Sequence, residues 1–598
     1  MPQDPKKKIP INYTNREFEG IRNDLEQIAE RFYPDSFQDF SEASFGSIVL
    51  DSVAYVGDQL SFYLDYNVNE MFLDTSFQYT NVLRHGRILG YKNQGRPSTY
   101  GVVSLYVLVP ASTVGLGPDT QYLPILKRGS RFTSQSGLNF VLTDNIDFSD
   151  SKNQVVVANV DSTSGAPTFF AVKAFGNVVS GFFKRETITV GNFERFKLVE
   201  LQSDNVSEII SVTDAEGNEY FEVENLSQDI IYREIANNNY KNENAPSVMK
   251  PVLVSKKFIS FTERSRTFIQ FGSGNPNESN VVADPQKVAM NIFGKSYVTD
   301  TTFDPTRLTK NQNFGTVPTN TSLEIIYRVT NPTNSNIAVG NLNKVSNSNF
   351  DFDNRPDLLT SKVNSVISSL EVSNEKPITG DVSTPSSGEI KRRIYDSFGT
   401  QNRAVTQVDY ENLVYRMPVK FGSIKRCSVQ RDPNSQKRNL NMYVISEDSF
   451  GKLILASDTI KKNLKVWINQ HRMINDTVDI IDPFIINLGV NFVVSARDGV
   501  NRFDLNQRCV AELGRKYGSP FYIGEDINIA DMYKELGKVT GVFEVISIKL
   551  VGKVGTNYSG NSININNNTS PDGTKLIIPK NAVVEIKYPD TDIKGQVR

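Results

Sequence analysis

Between Ser44 and Leu73, large apolar residues recur at helical spacing along three separate stripes, a pattern that a helix lying on one small domain cannot satisfy. One stripe is a heptad seam of Val49, Val53, Val56, Leu60 and Tyr63. A second holds Leu50, Leu64 and Met71, and a third Ile48, Tyr55 and Phe62. Asp51, Asp58 and Asp65 repeat every seventh residue on the remaining face. Such a helix would be about 45 Å long, more than the width of a small domain. Its three carboxylates exclude a membrane span, because hydrocarbon cannot solvate them.

A shorter helix is predicted upstream. Thr14-Asn-Arg-Glu17 has the spacing of a capping box, Phe18, Ile21, Leu25, Ile28 and Phe32 follow at alternating steps of three and four, and Pro34 ends the run. Downstream, a third helix is expected from about Ser76 to Leu89, closed by Gly90. The three helices can pack on one another. Three apolar stripes, however, ask for several neighbours, so the pattern favours a bundle completed by other chains, with the two seams as the partner-binding residues.

A chain of 598 residues exceeds the size at which one core keeps growing, so several domains are expected. From Thr99 the period changes from helical to alternating, with Val103, Leu105, Val107 and Val109 on one face of a strand. The pattern stays β to about residue 330, with turns at Gly129, Gly137 and Asp214-Ala-Glu-Gly217. Thr330 to Asn354 reads as a polar linker around the short apolar segment Ile337 to Val345, and the asparagine-rich runs Asn237 to Ser247 and Asn561 to Ser570 read as surface loops. Beyond it helices and strands alternate, which suggests a small α+β sandwich, possibly built twice. Thr406 to Asp409 has capping-box spacing for a helix there. The expected class is multidomain α+β: an N-terminal long-helix bundle (1–98), a central mostly-β domain (99–329), the linker (330–354), and a C-terminal α+β domain with strand-helix-strand units (355–598), which is expected to dimerise.

Basic and acidic residues balance, 65 against 67, and beyond Lys6-Lys7-Lys8 no basic stripe stands out. No nucleic acid is therefore expected as a partner. The N-terminus lacks the apolar stretch of a secretory signal and no segment reads as a membrane span, so no membrane is expected either. Cys427 and Cys509 are the only cysteines and suggest neither a disulfide framework nor a zinc site.

Chemistry is equally scarce. His85 and His471 are the whole supply of the commonest general base, and neither has the neighbours of a triad. Gly294-Lys-Ser296 resembles the end of a phosphate loop, but position 289 is Ala where that loop requires glycine. Gly272-Ser-Gly274 reads as a turn, and Asp351-Phe-Asp353-Asn354 lacks the glycine and glutamate of a calcium loop. Carboxylates are too numerous to exclude a glycosidase pair by sequence alone. No catalytic residue, cofactor or metal is expected.

Glu70-Met-Phe-Leu-Asp-Thr75, followed by Leu83-Arg84 and Leu89-Gly90-Tyr91, resembles the N-terminal signature of the Baseplate J-like proteins of contractile phage tails. Ile125-Leu-Lys-Arg-Gly-Ser-Arg-Phe132, with Gly129 at its turn, resembles a strand-turn-strand segment of that family, and Arg403-Ala-Val-Thr-Gln-Val-Asp-Tyr410 its C-terminal motif. The long helices and overall length look closest to the T-even-type baseplate wedge subunit, the gene product six class. The resemblance implies a virion protein of the tail baseplate, assembled in the host cytoplasm. It implies a homodimer whose helices join a core bundle with other wedge subunits, including a small lysozyme-like wedge protein. Copies would close a ring around the central hub and spike, holding while the baseplate changes shape and triggers sheath contraction. It further implies that Glu70, Thr75, Gly90, Gly129, Arg403, Asp409 and Tyr410 determine the fold, with a local ion pair and a buried ring in the last motif. Rival readings are a baseplate component of a non-phage contractile injection system, a tail-associated enzyme degrading cell wall or capsule, and a host-sugar adhesin.

Overall fold

The computed structural model describes residues 15–33, 44–92, 95–112, 117–163, 165–236, 247–263, 266–275, 314–353, 355–435 and 439–598. Lys6 to Lys8, Thr14, Pro34, Asn237 to Pro246, Gly294 to Ser296 and Asn354 lie outside them. Two compact units emerge, one formed by Met1–Tyr91 with Pro385–Phe398, the other by Lys92–Thr384 with Gly399–Arg598. The described residues comprise N-terminal helices, a strand-rich middle and an α+β C-terminal region, the class read from the sequence.

In the first unit, α1 runs Phe18–Phe32, α2 Phe45–Glu70 and α3 Tyr79–Ile88. Glu17, expected inside the first turn, instead occupies the N-cap of α1 and makes no side-chain cap bond. Ser44 caps α2, its hydroxyl accepting from the Ser47 amide at 3.1 Å. Gly90 ends α3 with φ +85°, a left-handed geometry that a side chain would strain. The helix Ser387–Thr400 supplies Ile390 and Ile394 to a small core with Val82 and Tyr91. Gly86 permits this approach, since a Cβ there would stand 2.8 Å from Ile394 Cδ1. The sequence places 385–398 deep in the C-terminal region, and nothing local signals its return to the N-terminal unit.

The second unit holds two seven-stranded sheets. In the first, Tyr100–Pro110 and Pro167–Ser180 form a long antiparallel pair, flanked by Glu371–Ser373 on one side and by Asn139–Leu142, Arg131–Ser134 and Leu342–Asn347 on the other. Val103, Leu105, Val107 and Val109 are fully buried, as their alternation predicts, and the helix Thr360–Ser368 packs on the same strand. The second sheet runs in the order Phe182–Val190, Thr321–Val329, Val206–Thr213, Glu219–Glu222, Lys257–Glu263, Arg266–Phe271 and Leu198–Asp204. Its core includes Tyr327, Phe271 and Ile325.

Two α/β sandwiches follow. Strands Arg426–Arg431, Asn439–Glu447 and Thr477–Ile481 share a core with helices Gln407–Tyr415 and Asp458–Asn469, and Leu453–Leu455 completes the sheet. Strands Val542–Gly552, Phe484–Ala496, Ala582–Glu585 and Ile593–Val597 share another with helices Arg502–Tyr517 and Ile529–Gly537. Inside the expected loop 561–570, a short helix Ile565–Asn568 forms, capped by Asn564.

Residues 330–353, expected as a linker, are built into the β region. Leu342–Asn347 pairs with Arg131–Ser134, and Thr330, Asn331, Ser335 and Asn336 are buried. Asn336 Nδ2 donates to the Asp381 and Glu447 carbonyls at 2.6 and 2.8 Å, while its Oδ1 accepts from the Asp381 amide at 3.1 Å. These polar side chains satisfy buried backbone groups, which is why the segment reads as a linker by composition and behaves as interior.

Candidate assembly surface

Helices α1 and α2 pack antiparallel, and on the α2 side the residues that join them are small or charged. Arg22 Nε meets Asp51 Oδ1 at 2.6 Å and Arg16 Nη1 meets Asp65 Oδ1 at 2.5 Å. The Ile21 side chain lies over Gly57, 3.2 Å from where a Cβ would stand. Along α2, Ser47, Ala54 and Glu70 are the only buried residues. At 100° per residue, the line through Ser47, Asp51, Ala54, Asp58 and Asp65 lies roughly half a turn from the seam. Thus α1 covers the polar face and leaves the apolar one open.

The seam residues of α2 are accordingly exposed: Val49, Val53, Val56, Leu60 and Tyr63 retain between 45 and 59% of their surface. Ile48, Tyr55, Phe62, Leu64, Val68, Met71 and Phe72 are exposed beside them. On α1, Phe18, Ile21 and Leu25 are half-buried, whereas Ile28 and Phe32 are exposed. Packing of the helices on one another therefore does not bury the α2 seam, because α1 takes the aspartate face. The signal was present in the sequence, since Arg16 and Arg22 supply cations for a heptad of aspartates.

At α2's C-terminal end, the Glu70 carboxylate accepts from the Phe77 amide at 2.7 Å, the Gln78 amide at 3.1 Å and Asn81 Nδ2 at 2.8 Å. It therefore serves the amide-rich start of α3. The Asn81 hydrogen bond leads the influences that hold this carboxyl below its ordinary pKa, against the opposing push of burial. Thr75 Oγ1 donates to the Asn69 carbonyl at 2.7 Å, and His85 Nε2 lies 2.8 Å from the Glu70 carbonyl. These contacts fix the α2–α3 turn.

Gly129 turns the chain at φ +89°. In the second unit, Asp409 and Thr406 form the capping box: Thr406 Oγ1 accepts from the Asp409 amide at 3.2 Å, and Asp409 Oδ2 from the Thr406 amide at 2.8 Å. Burial pushes the Asp409 pKa up, but the Thr406 and Val405 bonds reverse this and leave it lowered. The ion pair expected with Arg403 is replaced by this cap, and Arg403 is exposed. Tyr410 is the expected buried ring. Its hydroxyl donates to Asp476 Oδ2 at 2.8 Å, and burial, then Asp476, pushes its pKa up to about 12.

The weak chemical candidates remain apart. His471 Nδ1 lies 3.2 Å from the Asn402 carbonyl with its ring against Trp467, and Asp351 pairs with Lys127 at 2.8 Å. Gly274, expected in a turn, forms an isolated parallel β-bridge with Thr316. Among the described residues, no group of three or more potential metal ligands converges, and no helix is long and apolar enough to cross a membrane.

Residues 19–88 match a family model described as the N-terminal domain of bacteriophage baseplate protein. The matched span runs almost end to end over α1, α2 and α3, the part of the chain whose apolar surface is open. It supports a structural baseplate protein. No curated protein sequence matches the chain. Among solved structures, a chain of the cryo-EM structure of the anti-feeding prophage (AFP) baseplate, 6-fold symmetrised, aligns at 10% identity over 96% of this chain and 98% of that one, with a TM-score of 0.26.

Proposed function

We propose that this chain is a non-enzymatic wedge subunit of a contractile phage tail baseplate, and that the helical unit is the joint through which it assembles. The observation that carries this reading is the half-turn separation on α2 between the face α1 covers and the apolar face it leaves open, within the segment similar to a baseplate domain. Burying a half-exposed Val, Leu or Tyr contributes about 1 kcal/mol, so twelve such side chains offer on the order of 10 kcal/mol, the same order as the cost of association. A second copy and helices of other wedge subunits, among them a small lysozyme-like one, would fill that face.

In this reading, dimers join into a ring around the central hub. The ring holds while outer parts move and sheath contraction follows. Packed apolar helices form stiff joints, which suits a part that must not yield. The β-rich and α+β regions are the bodies carried by that joint, and the C-terminal region supplies a second contact between copies.

The test is a parent particle carrying Leu60→Asp with Tyr63→Asp, inspected by negative-stain microscopy. Both residues are exposed in the single chain, so the fold survives the change. The expected result is an absence of assembled baseplates. Normal baseplates would refute the assignment.

A further inference from the structure

A second open surface lies far along the chain from the helices, at the rim of the first sheet. Among the described residues, strand Gln154–Val160 pairs only with Pro167–Ser180, and every one of its seven residues is exposed. Val155 stands opposite Val172 and Val157 opposite Phe170, both buried, so the two valines lie on the core face of the sheet. Each nevertheless keeps 47% of its surface. The core is unfinished at this edge.

Edge strands are ordinarily guarded by charges, proline or bulges. No charge or proline occurs between Gln154 and Val160, and the register shifts begin only after Val157. The regular stretch Gln154–Val157 is left as a short, uncharged template. We propose that this edge pairs antiparallel with the same edge of a second copy, centred on Val156, so that the two sheets continue into one.

The centre follows from symmetry. A twofold axis through Val156 sets Val155 of each copy opposite Val157 of the other, which brings four valines together on the core face and completes both cores. Charge selects the direction. Lys152 precedes the strand and Asp161 follows it, so antiparallel pairing brings the lysine of each copy alongside the aspartate end of the other. Parallel pairing would set like beside like.

Pairing over so few residues hides on the order of several hundred Å², less than the roughly 1,200 Å² of a standard stable interface. The contact is therefore weak between free chains and fills where copies are already held close together. It is a separate surface from the helical joint and does not depend on it.

Oxidative cross-linking of the full chain tests the pairing. In a twofold-centred pair, a residue faces its own copy at a Cα separation of about 4.5–5.5 Å, within disulfide range, and the native cysteines are both buried. Val156→Cys should give at least about tenfold more covalent dimer than Val102→Cys, a partly exposed site on the same sheet. Adding Val155→Lys to the Val156→Cys chain should remove the excess. Equal cross-linking at positions 156 and 102, or a Val156→Cys excess untouched by Val155→Lys, would overturn the proposal. So would capture of a different protein by Cys at 156 in assembled particles.

Discussion

The strand Tyr100–Pro110 and the helix Phe45–Glu70 are both rich in large apolar residues, yet the strand buries Val103, Leu105, Val107 and Val109 completely while the helix leaves its whole seam half exposed. One core is closed by the chain itself. The other has a face made for something else. The difference shows that hydrophobic patterning specifies burial without specifying who provides it. The partner choice depends instead on Ser47, Ala54, Gly57 and the aspartate heptad, which direct α1 to the opposite side.

The sharpest break of this contrast is a truncation on each side. Leu105→Ala should cost about 2–5 kcal/mol in denaturant unfolding of the second unit, because a cavity opens in a closed core. A smaller loss, about 1–3 kcal/mol, is expected for Tyr410→Phe, which strands the buried Asp476 carboxylate without its donor.

Glu70 brings the comparison to the helical unit through pH. Its pKa is lowered in the folded chain, so its contribution is present above the ordinary glutamate value of 4.5 and is lost as pH falls through the lower folded value. Glu70→Gln should weaken hydrogen-exchange protection at the start of α3 at neutral pH, and the difference from the parent should shrink on acidification below pH 4.5. A difference constant with pH would mean that packing, not the carboxylate, holds the turn. The smallest effect belongs to Leu60→Ala, which should change the stability of the single chain by no more than about 0.5 kcal/mol by thermal melting.

Much of the fold was legible in local pattern. The alternation at 103–109 gave a strand and its buried face, Thr406 with Asp409 gave a helix start, and Gly90 and Gly129 gave turns that their positive φ explains. What stayed hidden depends on distant contacts. Asn336 looks like linker chemistry until its amide is seen between Asp381 and Glu447. The helix 387–400 shows an ordinary apolar face, and only Gly86 receiving Ile394 reveals where that face goes. For the candidate surface, the seam residues were readable as apolar, but their exposure follows from where α1 packs. The family resemblance implies a local ion pair around Arg403 and Asp409, whereas Asp409 is already engaged by backbone amides. The open edge at Val155 to Val157 was readable as a strand and not as an edge, because position in a sheet is set by topology.

The most direct test of the central claim is the light-scattering mass of the full chain after gel filtration, parent against Leu60→Asp with Tyr63→Asp. The account predicts a parent heavier than the 67.0 kDa of one chain and a variant lighter than the parent, with an unchanged thermal melt. Equal masses for the two would contradict it.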